Sequence, residues 1–486
     1  MGNPFAATDE PLPLVVDLDD TLLATDTLHE TLVQNFFKHP MQTAVACLSV
    51  FQGRAAFKAR LVDIEPPDVS SMPVNNELRA YLEKESASGR DIHLATAADA
   101  RIAEQVATRF SWISSVSGTS DGTNLKGATK AESLAERFPN GFVYAGDSSA
   151  DISVWEKAAS AIPVNVSSNT AAALEQRAKK IERRFDNGSG ASGLKNWRKA
   201  LRLHQWSKNV LLFVPLMLSH SYFNLDAVLS VLAGFFIVSV AASGTYIVND
   251  LADLSADRRH PTKKERPFAA GRLPVLQGAI VAAMLILLSI TAGFALSIPF
   301  GVTLLTYLAT TFAYSFRLKR VVLLDVILLS ALFTLRIFMG IALVGAGVSI
   351  WLIAFSCFFF YAMSLAKRHV ELINRSAEGD AALIPGRGYR VGDWPVTLAH
   401  GVAATAGAII IIVMYLSQEA FPSGLYSEPS WLWATPVLIA AWTQRIWLLA
   451  HRGELDDDPV SFALRDPISI IMGVALAVFF VAATVL

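Results

Sequence analysis

The chain has 486 residues, 53% of them hydrophobic and 17% charged, and its 41 Lys and Arg nearly balance 42 Asp and Glu for a net charge of −1. So apolar a composition excludes a wholly soluble protein of this length and fits a polytopic membrane protein. The net charge says nothing about nucleic acid, but no interleaved basic and aromatic stretch suggests such a partner, and two distant cysteines, Cys47 and Cys357, imply no disulfide framework.

Residues 1–184 read as a soluble α/β domain, with short apolar runs bounded by Gly, Pro, Asp and Ser alternating with helical patterns. Residues 1–13 are acidic and proline-rich, without a basic start or an apolar core, so no secretory signal is expected there. Val15-Val16-Asp17-Leu18-Asp19-Asp20-Thr21 is a buried strand ending in carboxylates. Ile92-His93-Leu94-Ala95-Thr96 is a second strand, ending in a hydroxyl. Lys130 opens a helix, and a further strand runs from Val143 into Asp147 and Asp151. Parallel strands put their ligand sites at their carboxyl ends, so both acidic clusters are expected at one edge. There one carboxylate can attack a phosphoryl group, a neighbour can handle the proton, later acids can hold Mg²⁺ and a lysine can neutralise phosphate charge.

Residues 185–196 are rich in Gly and Ser at their start and read as a flexible linker. From residue 197 to 486 the chain reads as an all-α bundle of about nine transmembrane helices. They are placed at 209–221, 227–248, 273–295, 300–314, 321–344, 350–365, 396–416, 431–449 and 468–486. Lys and Arg gather in the loops at 258–272, 317–320, 367–390 and 445–465, while the opposite loops, around 224, 297, 346 and 419, carry none. Such loops face the cytoplasm, so the protein is expected in the inner (cytoplasmic) membrane with the N-terminal domain on the cytoplasmic side. Arg336 falls inside a span, where a structural and a functional role are equally open.

Between the second and third spans stand Asn249, Asp250, Asp253 and Asp257, followed by Arg258, Arg259, His260, Lys263, Lys264 and Arg266. Asp250, Asp253 and Asp257 are spaced i, i+3, i+7, one face of a helix. Carboxylates so arranged suit Mg²⁺, which meets substrates through phosphates, and the cations that follow suit the remaining phosphate charge. The expected site is one for a Mg²⁺-diphosphate at a membrane surface; the other reading is a solvated charged loop.

The N-terminal domain resembles the haloacid dehalogenase (HAD) superfamily of phosphohydrolases, whose four motifs occur in order. The resemblance implies a Rossmann-like fold with a small helical cap at about residues 22–90. By resemblance Asp17 is the nucleophile, Asp19 the general acid/base, Thr96 and Lys130 bind phosphate, and Asp147 and Asp151 join Asp17 on Mg²⁺. Lys126 is a rival for the motif lysine.

The membrane half resembles the UbiA superfamily of intramembrane transferases, through Asn249 to Asp257. Flanking residues resemble its decaprenyl-phosphate phosphoribosyltransferase branch: His204-Gln205-Trp206-Ser207-Lys208-Asn209, His260-Pro261-Thr262-Lys263 with Arg266-Pro267, Tyr314-Ser315 with Leu318-Lys319 and Asp325, Lys367-Arg368-His369 with Glu371, and Asp458-Pro459 with Asp466-Pro467. That branch moves phosphoribose from phosphoribosyl pyrophosphate (PRPP) to a polyprenyl phosphate. The resemblance implies Mg²⁺ on Asn249, Asp250, Asp253 and Asp257, and substrate contacts from Lys208, Lys263, Arg266, Tyr314, Lys319 and Lys367. Each of these cations also reads as an ordinary cytoplasmic charge. Asp325 stands alone where aromatic prenyltransferases of the superfamily show a pair of aspartates. The competing readings are isoprenoid transfer from a polyprenyl diphosphate to an aromatic or other acceptor, with an unrelated HAD substrate, and a transporter or scaffold.

Overall fold

The computed structural model describes residues 11–120, 124–177, 179–186, 189–345, 347, 349–384, 386–455 and 459–486. Asp458, and Asn187 and Gly188 of the expected linker, lie outside the described residues. The chain forms two compact units: Met1–Leu201 with Tyr246–Ala283, and Arg202–Thr245 with Met284–Leu486.

The first unit is built on a five-stranded parallel sheet: β1 (Leu14–Val16), β2 (Ile92–Asp99), β3 (Ile113–Thr119), β4 (Val143–Gly146) and β5 (Ser160–Pro163), in the order β3-β2-β1-β4-β5. Parallel strands are covered on both faces, which is why β1 reads as an unbroken apolar run. Leu14 and Val16 face a core with Leu78, Tyr81, Ile92 and Ile102, while Val15 faces another with Leu134, Tyr144 and Trp155. Because β1 lies between β2 and β4, the acidic ends of β1 and β4 are neighbours.

Three helices follow β1: Thr27–Lys38, Pro40–Leu48 and Arg54–Ile64. An antiparallel bridge between Leu23 and Val74 closes the neck of this excursion. The helix Asn76–Ala87, within the range read as cap, packs Leu78 and Leu82 into the core of the sheet instead. The stretch read as a flexible linker is helical over Ser189–Ala200. Trp197 meets Phe268 edge to face at 6.3 Å, and Lys199 donates to the Glu265 carbonyl, which ties this helix down.

Among the described residues, six helices are long and apolar enough to cross a membrane: Leu225–Ala252, Val275–Leu296, Leu324–Val344, Ile350–Ile373, Val391–Ala420 and Pro467–Val485. The expected count of nine is therefore not met by length and composition. The segment at 209–221 is a 3-10 stretch, Leu203–Phe213, followed by the short helix Val214–Leu218. Ile298–Phe316 carries four threonines that bond back onto their own helix, and Ala434–His451 carries Gln444 and Arg445.

Arg336 has a structural account within the second unit. It is buried, and its guanidinium donates to Asn209 Oδ1 at 2.9 Å, to the Leu332 carbonyl at 2.7 Å and to the Tyr307 hydroxyl at 2.9 Å. Three elements meet on one side chain. Arg336→Met leaves Asn209 and Tyr307 without this partner and should cost ~1–3 kcal/mol. The check is the thermal unfolding midpoint of detergent-purified protein, which should fall.

Candidate functional site

The ends of β1 and β4 build the first site. Asp17 caps the turn after β1, accepting from Leu18 N–H at 2.8 Å, and Asp20 in that turn takes a left-handed φ of 54°. A non-glycine residue held there is a strain that active-site turns commonly carry. Lys130 Nζ lies 3.0 Å from Asp17 Oδ1 and donates to the Tyr144 hydroxyl at 2.8 Å. That hydroxyl donates to Asp151 Oδ1 at 2.9 Å. The other oxygen of Asp151 accepts from the Ser148 N–H and hydroxyl at 3.1 and 2.9 Å. Asp17, Asp147 and Asp151 each offer an oxygen, all within 4.8 Å of one another. Three crowded carboxylates with one lysine leave net negative charge, which fits a hard divalent cation such as Mg²⁺.

The electrostatics agree with that fit. Burial raises the Asp17 carboxyl, with Lys130 opposing. Burial, then the Asp17 and Asp151 carboxylates, pushes Asp147 up to about 8. Burial and the nearby Asp26 carboxylate push Asp19 up to about 8, although Asp19 accepts from Thr27 N–H at 2.8 Å. An acid so placed is protonated at neutral pH and can donate a proton.

A cavity of about 450 Å³ opens onto Asp17, Asp19, Lys130, Asp147 and Asp151. Lys126 lines it but is exposed, whereas Lys130 is buried against Asp17. Thr96 is fully buried, and its hydroxyl accepts from Ala98 N–H. The cavity also has walls that sequence reasoning missed: His29, Arg54 and Lys58 from the helical excursion, and Asn124. Lys58 donates to the Ala97 carbonyl and to Asn124 Oδ1, and burial lowers its pKa. Nothing in the helical pattern of Arg54–Ile64 marks Lys58 as inward-facing.

The second acidic run starts on the helix Leu225–Ala252, but the helix does not continue through it. Asp253 breaks the helix and precedes a short one, Leu254–Arg259. Asp250 and Asp257, both 3% exposed, are nevertheless brought together by Arg266. Its Nη1 lies 3.2 Å from Asp250 Oδ1 and 2.5 Å from Asp257 Oδ2. Burial raises the Asp257 carboxyl, with Arg266 opposing. Asn249 is half-buried and Lys263 is exposed. Among the described residues Asp250, Asp253 and Asp257 do not form a three-carboxylate group close enough to share a metal ion as they stand, and Arg266 supplies the positive charge two of them need.

The other expected residues belong to the second unit. Lys208 lies on the 3-10 stretch Leu203–Phe213, Lys319 on Leu318–Arg320, and Lys367 near the end of Ile350–Ile373, all half-buried. The Tyr314 hydroxyl accepts from Arg387 at 2.8 Å. Asp325, with no exposed surface, accepts from Tyr389 OH at 2.7 Å and Arg368 Nε at 3.0 Å. Arg387 and Tyr389 sit in a loop with no motif, so no sequence signal pointed to them.

The UbiA prenyltransferase family pattern matches residues 210–465, more than half of the chain. The chain belongs to the UbiA prenyltransferase family. It is 42% identical over 475 residues to the y4nM protein of Sinorhizobium fredii, covering 98% of this chain and 92% of that one. It is 38% identical over 189 residues to the decaprenyl-phosphate phosphoribosyltransferase of Corynebacterium glutamicum, covering 37% of this chain and 56% of that protein. The N-terminal part overlays on a HAD family hydrolase from Salmonella enterica serovar Typhi, 16% identical, over 36% of this chain and 70% of that one, at a TM-score of 0.26. The resemblance to UbiA transferases thus holds for the membrane half of this UbiA-family chain.

The raised carboxyls set a pH dependence. Asp19 and Asp147 bind protons more tightly folded than unfolded, so without metal the stability of the N-terminal domain should fall as pH rises from about 4 to about 8. Mg²⁺ should raise the unfolding midpoint at pH 8 more than at pH 5, since it competes with the proton on Asp147. Midpoints measured across this range with and without Mg²⁺ check both statements.

Proposed function

We propose that the chain transfers 5-phosphoribose from PRPP to a polyprenyl phosphate, releasing pyrophosphate, and that its N-terminal domain then removes the 5′-phosphate. The alignment of 189 residues at 38% identity with a decaprenyl-phosphate phosphoribosyltransferase carries the first step. Asp325 supports it: in the first turn of the helix Leu324–Val344, its carboxylate is taken up by Arg368 and Tyr389 and has no neighbouring aspartate to pair with on a diphosphate metal. In this reading the lipid bilayer holds the acceptor, and the charged loops and the N-terminal domain share the cytoplasmic side of the inner membrane.

Asn249, Asp250, Asp253 and Asp257 would hold Mg²⁺, which when bound neutralises diphosphate charge. Arg266, half-buried beside Asp250 and Asp257, would be placed to donate to phosphate oxygens of the bound diphosphate. The bond from the ribose anomeric carbon to pyrophosphate breaks, and an oxygen of the polyprenyl phosphate bonds to that carbon. The acceptor brings its own nucleophilic oxygen, so no activated side chain is needed. Lys208, Lys263, Tyr314, Lys319 and Lys367 are assigned to the sugar phosphate, leaving group and lipid phosphate.

In the N-terminal domain, Asp17 would attack the 5′-phosphorus while Asp19, protonated at neutral pH, gives its proton to the departing ribose oxygen. Asp19 would then take a proton from the water that hydrolyses the aspartyl phosphate. Lys130 would hold the Asp17 carboxylate in place, with Thr96 closing the phosphate site. Tethering the two sites in one chain raises the effective concentration of the second step.

The family name favours one other reading, isoprenoid transfer from a polyprenyl diphosphate. The test is purified protein with Mg²⁺, PRPP and polyprenyl phosphate, with lipids read by mass spectrometry. Lipid gaining ribose is the expected product, and Asp257→Asn should lower its formation on the order of 100-fold. Asp17→Asn should make the 5′-phosphorylated lipid accumulate. Transfer from a polyprenyl diphosphate without PRPP would replace this reading with the other.

A further inference from the structure

The loop that carries Arg266 is held by the N-terminal domain itself. Arg258 follows Asp257 directly on the helix Leu254–Arg259. Its Nη1 and Nη2 donate to both oxygens of Glu30 at 2.8 and 2.5 Å, and its Nε donates to the Ala269 carbonyl at 3.1 Å. Glu30 is fully buried and the Arg258 side chain is 3% exposed, so this bidentate pair is shielded from water. Thr25 donates a further hydrogen bond to Glu30 Oε1 at 2.5 Å. The next residue, Arg259, pairs with Asp68. At Gly271, φ +68°, an added Cβ would lie 2.3 Å from the Ala24 carbonyl, so the loop approaches the neck of the helical excursion as closely as glycine permits.

These contacts bracket the acidic site. Arg258 fixes the residue next to Asp257 and, through Ala269, closes the turn from which Arg266 reaches Asp250 and Asp257. Without Glu30, Arg258 would be a buried cation with no counter-charge, and the turn would lose its anchor. We infer that Glu30, a residue of the phosphohydrolase-like domain, is a positioning residue for the diphosphate site formed by Asp250, Asp257 and Arg266. The transferase site is then complete only with the N-terminal domain in place. The helix bearing Glu30 also supplies the Thr27 N–H bound by Asp19, so one helix holds a residue of each site. The inference rests on reading Asp250 and Asp257 as a diphosphate site.

The test uses the full chain in detergent and titrates inorganic pyrophosphate with Mg²⁺ by calorimetry, beside the unfolding midpoint. Glu30→Gln should weaken pyrophosphate binding 10-fold or more, and the effect should vanish in an Asp257→Asn background, since the residue acts through that site. Asp68→Asn, which breaks the exposed pair alone, should leave affinity unchanged. If Glu30→Gln does not fold, Glu30→Asp decides: it keeps the charge but shortens the reach, and should still weaken binding. A lowered midpoint with unchanged affinity would make Glu30 a purely structural clamp and overturn the inference. Wild-type protein that binds no pyrophosphate would instead overturn the diphosphate reading, and the inference with it.

Discussion

A carboxylate taken out of water must find a cation, and this molecule is organised around that requirement. Asp17 has Lys130, Asp250 and Asp257 share Arg266, Glu30 has Arg258 and Asp325 has Arg368. The pairs differ in what they leave over. Asp325 and Glu30 are fully matched by bidentate or multiple donors, and they pin loops. The Asp17 cluster has three acids for one lysine and therefore an unmet demand for positive charge. Asp250 and Asp257 share one arginine, a partner that a divalent ion with a phosphate can displace. In the proposed reading, surplus or exchangeable charge marks the sites and complete pairing marks the scaffold.

Much of this was legible in sequence where the chemistry is local. The carboxylates after β1 and β4 could be assigned to one edge because parallel topology leaves little choice. Lys130 could be named, but its link to Asp151 through the Tyr144 hydroxyl could not, since Tyr144 reads as an ordinary strand residue. Spacing predicted one helix face for Asp250, Asp253 and Asp257, and the structure shows Asp250 and Asp257 meeting on Arg266 instead. The helix breaks at Asp253, and Arg266, nine residues after Asp257, draws the acids together.

The failures have physical causes. Gly and Ser predicted a loose linker, but Leu194 to Ala200 carry helix formers, and Trp197 docks on Phe268. Among the described residues six helices, not nine, meet the length and hydropathy of a span: 209–221 folds as a 3-10 stretch with a short helix, and threonines and polar residues dilute Ile298–Phe316 and Ala434–His451. Glu30 gave no signal at all: its partner Arg258 is 228 residues away in sequence, and only the folded chain brings them within hydrogen-bond reach.

In the proposed function two chemistries act in turn on one lipid. The most direct measurement gives the protein PRPP carrying one isotope in the ribose and another in the 5′-phosphate, then counts both in the polyprenyl product. Sequential transfer and hydrolysis predicts ribose label on the lipid with the 5′-phosphate label released as inorganic phosphate. Equal retention of both labels by active wild-type protein would contradict it and separate the N-terminal domain from the lipid's pathway.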